Sequence, residues 1–212
     1  MPADWQSQIG GIPGWAASCV VGGAPTWTCD MNFELSEDQR AFQQTAREFA
    51  AKALAPHAAE WDEQAHFPRE AIAQAGELGF CGLYASEAAG GLALSRLDAT
   101  VVLEELATVD PSTAAFISIH NMATWMVSEF ARPEVVAEWG PRLTSGQALA
   151  SYCLTEPGAG SDAASLKTTA RREGDHYVVD GGKAFISGAG STDVLVLMAR
   201  TGGRGPGGIS AF

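Results

Sequence analysis

The chain has 212 residues, 46% hydrophobic and 18% charged, enough for one or two domains with a real core. Its 13 Lys and Arg against 25 Asp and Glu leave a net charge of −12. That argues against a nucleic-acid binder, which needs basic residues clustered on one face. No apolar run of about 18 residues exists, so no segment reads as a membrane span.

Residues 1–30 contain no Lys or Arg; the first basic residue is Arg40. A secretory signal needs a positive start and a mitochondrial presequence an Arg-rich amphipathic helix, and neither pattern is present. The AASC around Cys19 lacks the basic flank of a lipoprotein signal. Rich in Gly, Pro, Ala and Trp (Trp5, Trp15, Trp27) and without a period, the segment is expected to be a disordered or misassigned extension, with Met31 as the natural start. Cys19, Cys29, Cys81 and Cys153 are far apart, without zinc-site spacing. They read as free thiols in a reducing compartment.

From Met31 the elements follow in order. Ser36 with Gln39 three residues later forms a capping-box pattern. Phe42, Ala46, Phe49, Ala50, Ala53 and Leu54 then make one helical stripe, ended or kinked by Pro56. A second helix follows Pro68, with Ala71, Ile72, Ala75 and Leu78 inward and Gly79 closing it. Between the two, His57 and His66 flank an acidic stretch read as solvated surface. After a Gly-punctuated stretch, Ser95 to Ala107 is helical again; Glu104 and Glu105 are adjacent on it and point in different directions. Asp110-Pro111 is a cap followed by a first-turn proline. It opens a helix apolar on more than one face (Phe116, Ile119, Ala123, Met126, Val127, Phe130), as expected of one buried between neighbours. His120 on it reads as a satisfied interior histidine. A shorter helix runs from Pro133 to about Leu143.

The texture then changes to β. Ala148–Leu154 reads as a strand, followed by the loop TEPGAGSD. Lys167–Arg172 and His176–Asp180 read as a hairpin around Glu173-Gly174-Asp175. Lys183–Ile186 is expected to be a short strand, Val194–Ala199 an apolar strand, and Ile209–Phe212 the start of another after a Gly-rich stretch. The fold class is therefore α+β. A helical domain over residues 31–147 precedes a partial antiparallel β domain over 148–212.

The loop after the first strand carries the chemistry. Glu156-Pro157-Gly158-Ala159-Gly160 forces an abrupt turn, and its glycines let backbone approach a ligand. Consecutive N–H groups with the hydroxyls of Thr155 and Ser161 make a donor-rich edge suited to an acceptor-rich ligand. A bare Pro-Gly loop would be only a surface turn. The whole stretch YCLTEPGAGSDAAS, Tyr152 to Ser165, resembles the signature of the acyl-CoA dehydrogenase family. ELGFCGLYASEAAGGLALSRLDATVVLEELA and KAFISGAG are similar to further segments of that family in the same order. SIHNMATWM and KAFISGAGS look closest to its isobutyryl-CoA branch.

The resemblance implies FAD as cofactor. It would be bound by Tyr152, Cys153, Leu154, Thr155, Gly160 and Ser161, and by Phe185, Ile186 and Ser187, which stand where the family often has Trp-Ile-Thr. Ser161 would also meet the acyl-CoA, with Ile119 and Ala123 walling the acyl pocket. The implied reaction is α,β-dehydrogenation of a short or branched acyl-CoA, as in valine catabolism. Electron-transfer flavoprotein is the implied acceptor, the implied assembly is a homo-oligomer, and the implied location is the cytoplasm, or the mitochondrial matrix in a eukaryote. The catalytic base, a Glu in most members, is expected beyond residue 212 in a helical C-terminal domain that this sequence lacks. The chain alone is thus expected to bind FAD weakly or not at all and to be inactive. Competing readings are an acyl-CoA oxidase or flavin monooxygenase on the same scaffold, or a non-catalytic fragment.

Overall fold

The structure, a computed structural model, describes residues 34–212. The expected extension over residues 1–30, with Cys19 and Cys29, lies outside the described residues.

Helix α1 (Glu37–Phe49) starts as its sequence predicts. The Ser36 hydroxyl accepts the Gln39 N–H at 3.1 Å, and the Gln39 side chain accepts the Ser36 N–H at 3.0 Å. The helix runs into a π-helical turn, Ala50–Leu54, just before Pro56. The solvated stretch between His57 and His66 carries a further helix, α2 (Ala58–Gln64), which the sequence pattern did not show. It buries no residue, so it offers no apolar stripe to detect, and it ends on Ala65 with φ 49°. Helix α3 (Arg69–Glu77) follows, then α4 (Arg96–Ala107), whose N-terminus is closed by a second capping box, Ser95 with Asp98. In α5 (Pro111–Phe130) the Asp110 carboxylate accepts the N–H groups of Ser112 and Thr113. Helix α6 (Pro133–Thr144) completes the helical part.

The helical core gathers Phe49, Leu54, Ile72, Phe80, Leu106 and Ile117 with Leu149 from the sheet side. Its buried polar groups are satisfied, as burial demands. Asn121 accepts the Leu83 N–H at 2.8 Å and donates to the carbonyls of Phe80 and Ile117. Glu105 is buried and gripped by both Arg47 donors at 2.8 and 3.0 Å, whereas Glu104 is exposed. Cys81 and Cys153 are free and buried, and burial pushes the Cys81 thiol up to about 12.

Five strands form the sheet: β1 (Ala150–Cys153), β2 (Thr169–Glu173), β3 (His176–Asp180), β4 (Val194–Arg200) and β5 (Ile209–Ala211). The order is β1-β4-β2-β3, with β5 also on β4. The β2–β3 hairpin is antiparallel, and so is β4–β5. Strand β4, however, runs parallel to β1, from Ala150 opposite Val194 to Cys153 opposite Leu197, and parallel to β2 at Thr169 and Arg200. The sheet is therefore mixed, not antiparallel throughout. Parallel neighbours need a long crossover, and the excursion from Leu154 to Asp193 supplies it. The expected strand over Lys183–Ile186 is absent, because Phe185 turns to φ 56° and breaks the extended path. The Gly-rich stretch before β5 is held by Arg200, which donates to the carbonyls of Gly203, Gly205, Ala164 and Leu166.

His120 joins the sheet to the helices. Its Nδ1 accepts the Ala150 N–H at 3.0 Å, so that nitrogen carries no proton and Nε2–H donates to the Leu143 carbonyl at 3.0 Å. One fully buried ring thus fixes α5 to β1 and to the end of α6. Among the described residues no helix is long and apolar enough to cross a membrane.

Burial lowers the His120 pKa from 6.5 to about 4, against the pull of its two backbone partners. Between those values the unfolded chain binds the extra proton, so this contribution is complete above about pH 6.5 and gone below about pH 4. It amounts to at most about 3 kcal/mol. Urea unfolding followed from pH 7 down to pH 4.5 should show stability falling, and the slope should flatten in His120→Gln. An unchanged slope in the variant would contradict a neutral buried ring.

Candidate cofactor site

Strand β1 delivers Tyr152 and Cys153 to its C-terminal end, and the chain then turns tightly. The Glu156 N–H donates to the Ala159 carbonyl at 3.0 Å, and the Ala159 N–H returns to the Glu156 carbonyl at 3.1 Å. Glu156 itself points inward. One carboxylate oxygen accepts the Lys167 N–H at 2.6 Å; the other accepts the Thr168 N–H at 2.9 Å and the Lys183 ammonium at 2.8 Å. Lys183 also donates to the Leu154 carbonyl at 2.9 Å. One residue on, the Ala184 N–H donates to the Thr155 carbonyl at 2.9 Å.

Both charges are nearly out of water, with 9% of the Lys183 and 7% of the Glu156 side chain exposed. Burial works to raise the Glu156 pKa, but the Lys183 ammonium and the donors at Thr168 and Lys167 outweigh it and hold the carboxyl at about 2. Removing one member of such a pair strands the other charge and costs about 3–5 kcal/mol. Sequence reasoning quoted Glu156 without a role and placed Lys183 in a strand. Nothing local pairs them, since they stand 27 residues apart.

The loop Lys183 to Ser187 is fastened at its far end too, where the Ser151 hydroxyl donates to the Ser187 carbonyl at 2.6 Å. Between the fastenings Phe185 is 93% exposed and left-handed, at φ 56°. That conformation costs a residue with a side chain roughly 1–2 kcal/mol. Just beyond, Gly188 has φ 76°, and a Cβ there would lie 2.5 Å from the Phe116 ring. The loop is therefore packed against α5 at that point.

Thr155 and Phe185–Ser187 are thus brought together by backbone contacts. Leu154, Thr155 and Ile186 are half-buried, and Gly160, Ser161 and Ser187 are exposed. Tyr152 is half-buried, packed against a second core cluster. Two expected residues stand differently. Cys153 is buried and its thiol pushed up by that burial, so it offers no open side chain. Ala123 has no exposed surface and packs with Val127, Leu143, Ala148, Ala150 and Val196. It lies in the second core cluster, where the broad apolar girth of α5 faces the sheet. Ile119 is half-buried on the same helix.

The open edge suits a flat, acceptor-rich ligand. Among the described residues the hydroxyls of Thr155, Ser161 and Ser187 and the N–H groups of Gly160, Ser161, Ile186 and Ser187 have no protein partner. Gly158 and Gly160 are glycines the fold itself does not require. Neither is left-handed, and a Cβ on either would meet nothing within 4 Å. Bare backbone in open space is what close approach of a ligand needs. Two surface hollows of the helical part lie elsewhere, around Trp61, His66 and Phe67.

Comparison with known proteins agrees with this arrangement. The model of the acyl-CoA dehydrogenase N-terminal domain matches residues 36–147, and that of the acyl-CoA dehydrogenase middle domain matches residues 151–212. The chain belongs to the acyl-CoA dehydrogenase family of oxidoreductases. It is 51% identical over 181 residues to mitochondrial isobutyryl-CoA dehydrogenase of Bos taurus, covering 85% of this chain and 44% of the relative. Among solved structures it is similar to a glutaryl-CoA dehydrogenase complexed with glutaryl-CoA, at 34% identity and TM-score 0.81 over 86% of this chain and 47% of the other. A further likeness is to PigA bound to FAD and proline, at 29% identity and TM-score 0.79 over 86% and 49%. The chain thus spans about half the length, or less, of the curated relatives it matches.

If Phe185 is strained for a ligand's sake, the ligand-free protein should not miss it. Phe185→Gly removes the left-handed penalty and adds back about 0.5–1 kcal/mol of backbone freedom. Its thermal midpoint should equal or slightly exceed that of the parent. A drop of several degrees would show that the ring is packed and the strain argument wrong.

Proposed function

We propose that this chain forms the flavin-facing part of an FAD-dependent acyl-CoA dehydrogenase acting on a short or branched acyl-CoA, isobutyryl-CoA first among them. Support comes from the open donor edge of Thr155, Gly160, Ser161 and Phe185–Ser187, fastened from behind by Glu156 and Lys183. The 51% identity to an isobutyryl-CoA dehydrogenase favours the branched substrate. We divide the chain into a helical domain over 31–147 and a β domain over 148–212.

Bound FAD would supply the hydride acceptor for the substrate's β carbon. The chain's own residues bind and orient. The free N–H groups and hydroxyls along Thr155–Ser161 and Ile186–Ser187 would receive the ring's polar atoms, and Phe185 would cover its apolar part. Ser161 and Ile119 would approach the acyl group. A positioned base must take the α proton. Glu156 is no candidate, because both its oxygens are already committed to Lys167, Thr168 and Lys183. The base is expected beyond residue 212. Electron-transfer flavoprotein as acceptor, a homo-oligomeric assembly and a cytoplasmic or mitochondrial-matrix location complete the reading; the Bos taurus relative is mitochondrial.

Titration of the purified chain with FAD should quench flavin fluorescence weakly, and anaerobic isobutyryl-CoA should leave that flavin oxidised. Absence of quenching even at millimolar FAD would overturn the flavin reading for this edge. Substrate-dependent bleaching would place a base within the chain.

A further inference from the structure

We propose that Glu156 and Lys183 are positioning residues for the flavin, locking the end of β1 and the Phe185 loop into one rigid edge whose spacing sets flavin affinity. The inference rests on reading that edge as the flavin seat, and it adds a role for two residues that touch no ligand themselves.

The pair joins three stretches of chain, the end of β1, the residues just before β2 and those just after β3, of which the last two also meet in the β2–β3 hairpin. Glu156 takes the backbone of Lys167 and Thr168 on one side and Lys183 on the other, while Lys183 reaches back to the Leu154 carbonyl. Stability alone does not call for ions here. An apolar pair of the same volume is often as stabilising as a buried ion pair, since both charges lose their hydration. Directed hydrogen bonds do what apolar contact cannot: they fix distance and angle between segments.

The neighbouring backbone shows where that precision is used. Ala184, next to Lys183, donates to Thr155, next to Glu156, so the clamp sits directly behind Thr155 and leads straight into Phe185 of the donor edge. Phe185 then takes its left-handed turn. Strained conformations persist only where the surroundings over-determine them, and Phe185 is bracketed by the clamp and by the Ser151–Ser187 bond. Loosening one bracket lets Phe185 relax and separates Thr155 from Ser187, although no ligand contact has been deleted.

Single variants strand a charge and risk unfolding, so the decisive variant is the double change Glu156→Gln with Lys183→Met. It removes both charges together and leaves an acceptor for the Lys167 or Thr168 N–H. It should melt within a few degrees of the parent and keep its circular dichroism, yet bind FAD at least tenfold more weakly. Equal FAD affinity in a folded double variant would overturn the clamp while leaving the flavin reading intact. Failure of the parent itself to bind FAD would instead overturn the flavin reading. A measurement without variants decides the case if the double variant does not fold. Amide exchange of the parent should show FAD raising protection over residues 152–156 and 183–187 together. Protection gained by one stretch alone would show that the two are not one unit.

Discussion

A carboxylate taken out of water must be surrounded by donors or it protonates. Glu156 meets that requirement with two backbone N–H groups and the Lys183 ammonium, and the local architecture follows from it. The turn after β1 has to close tightly enough to aim Glu156 inward, which leaves Gly158 and Gly160 outside with bare backbone. The segment before β2 has to present its N–H groups, and the loop from Lys183 has to pass close behind Thr155. An open, donor-rich edge is what remains on the far side.

The edge is useful only if its frame stays in place. His120 supplies that constraint by accepting from Ala150 and donating to Leu143. Arg69 adds a second link by donating to the Ser191 carbonyl and pairing with Asp193, whose carboxylate also accepts the Leu149 N–H. The helical part thus works as a platform that holds β1 and β4 side by side. Its polar groups serve packing; among the described residues no cluster of three or more His, Cys, Asp or Glu is arranged to hold a metal ion.

Features written within a few residues were legible in the sequence. The two capping boxes at Ser36 and Ser95, the Asp110-Pro111 helix start and the Gly174 hairpin each depend on side chains next to the backbone they serve. Long-range features were not. Helix α2 has no buried stripe, and the parallel pairing of β1 with β4 is set by tertiary packing across a long crossover. The role of Ala123 in the acyl wall came from the resemblance alone; the helical pattern shows only that its face is apolar, and that face packs on the sheet. The donor loop was visible from its glycines and hydroxyls, but the clamp behind it was not, since no pattern in the chain announces that Lys183 will reach Glu156.

The central claim is that a flavin is received along Thr155–Ser161 and Phe185–Ser187. Mapping of backbone amide chemical shifts while FAD is added to the isotopically labelled chain tests it most directly. The shifts should concentrate at Gly160, Ser161, Ile186 and Ser187, with little change around Trp61 and His66. Shifts gathered at the Trp61–His66 hollow, with the donor edge unmoved, would contradict the account.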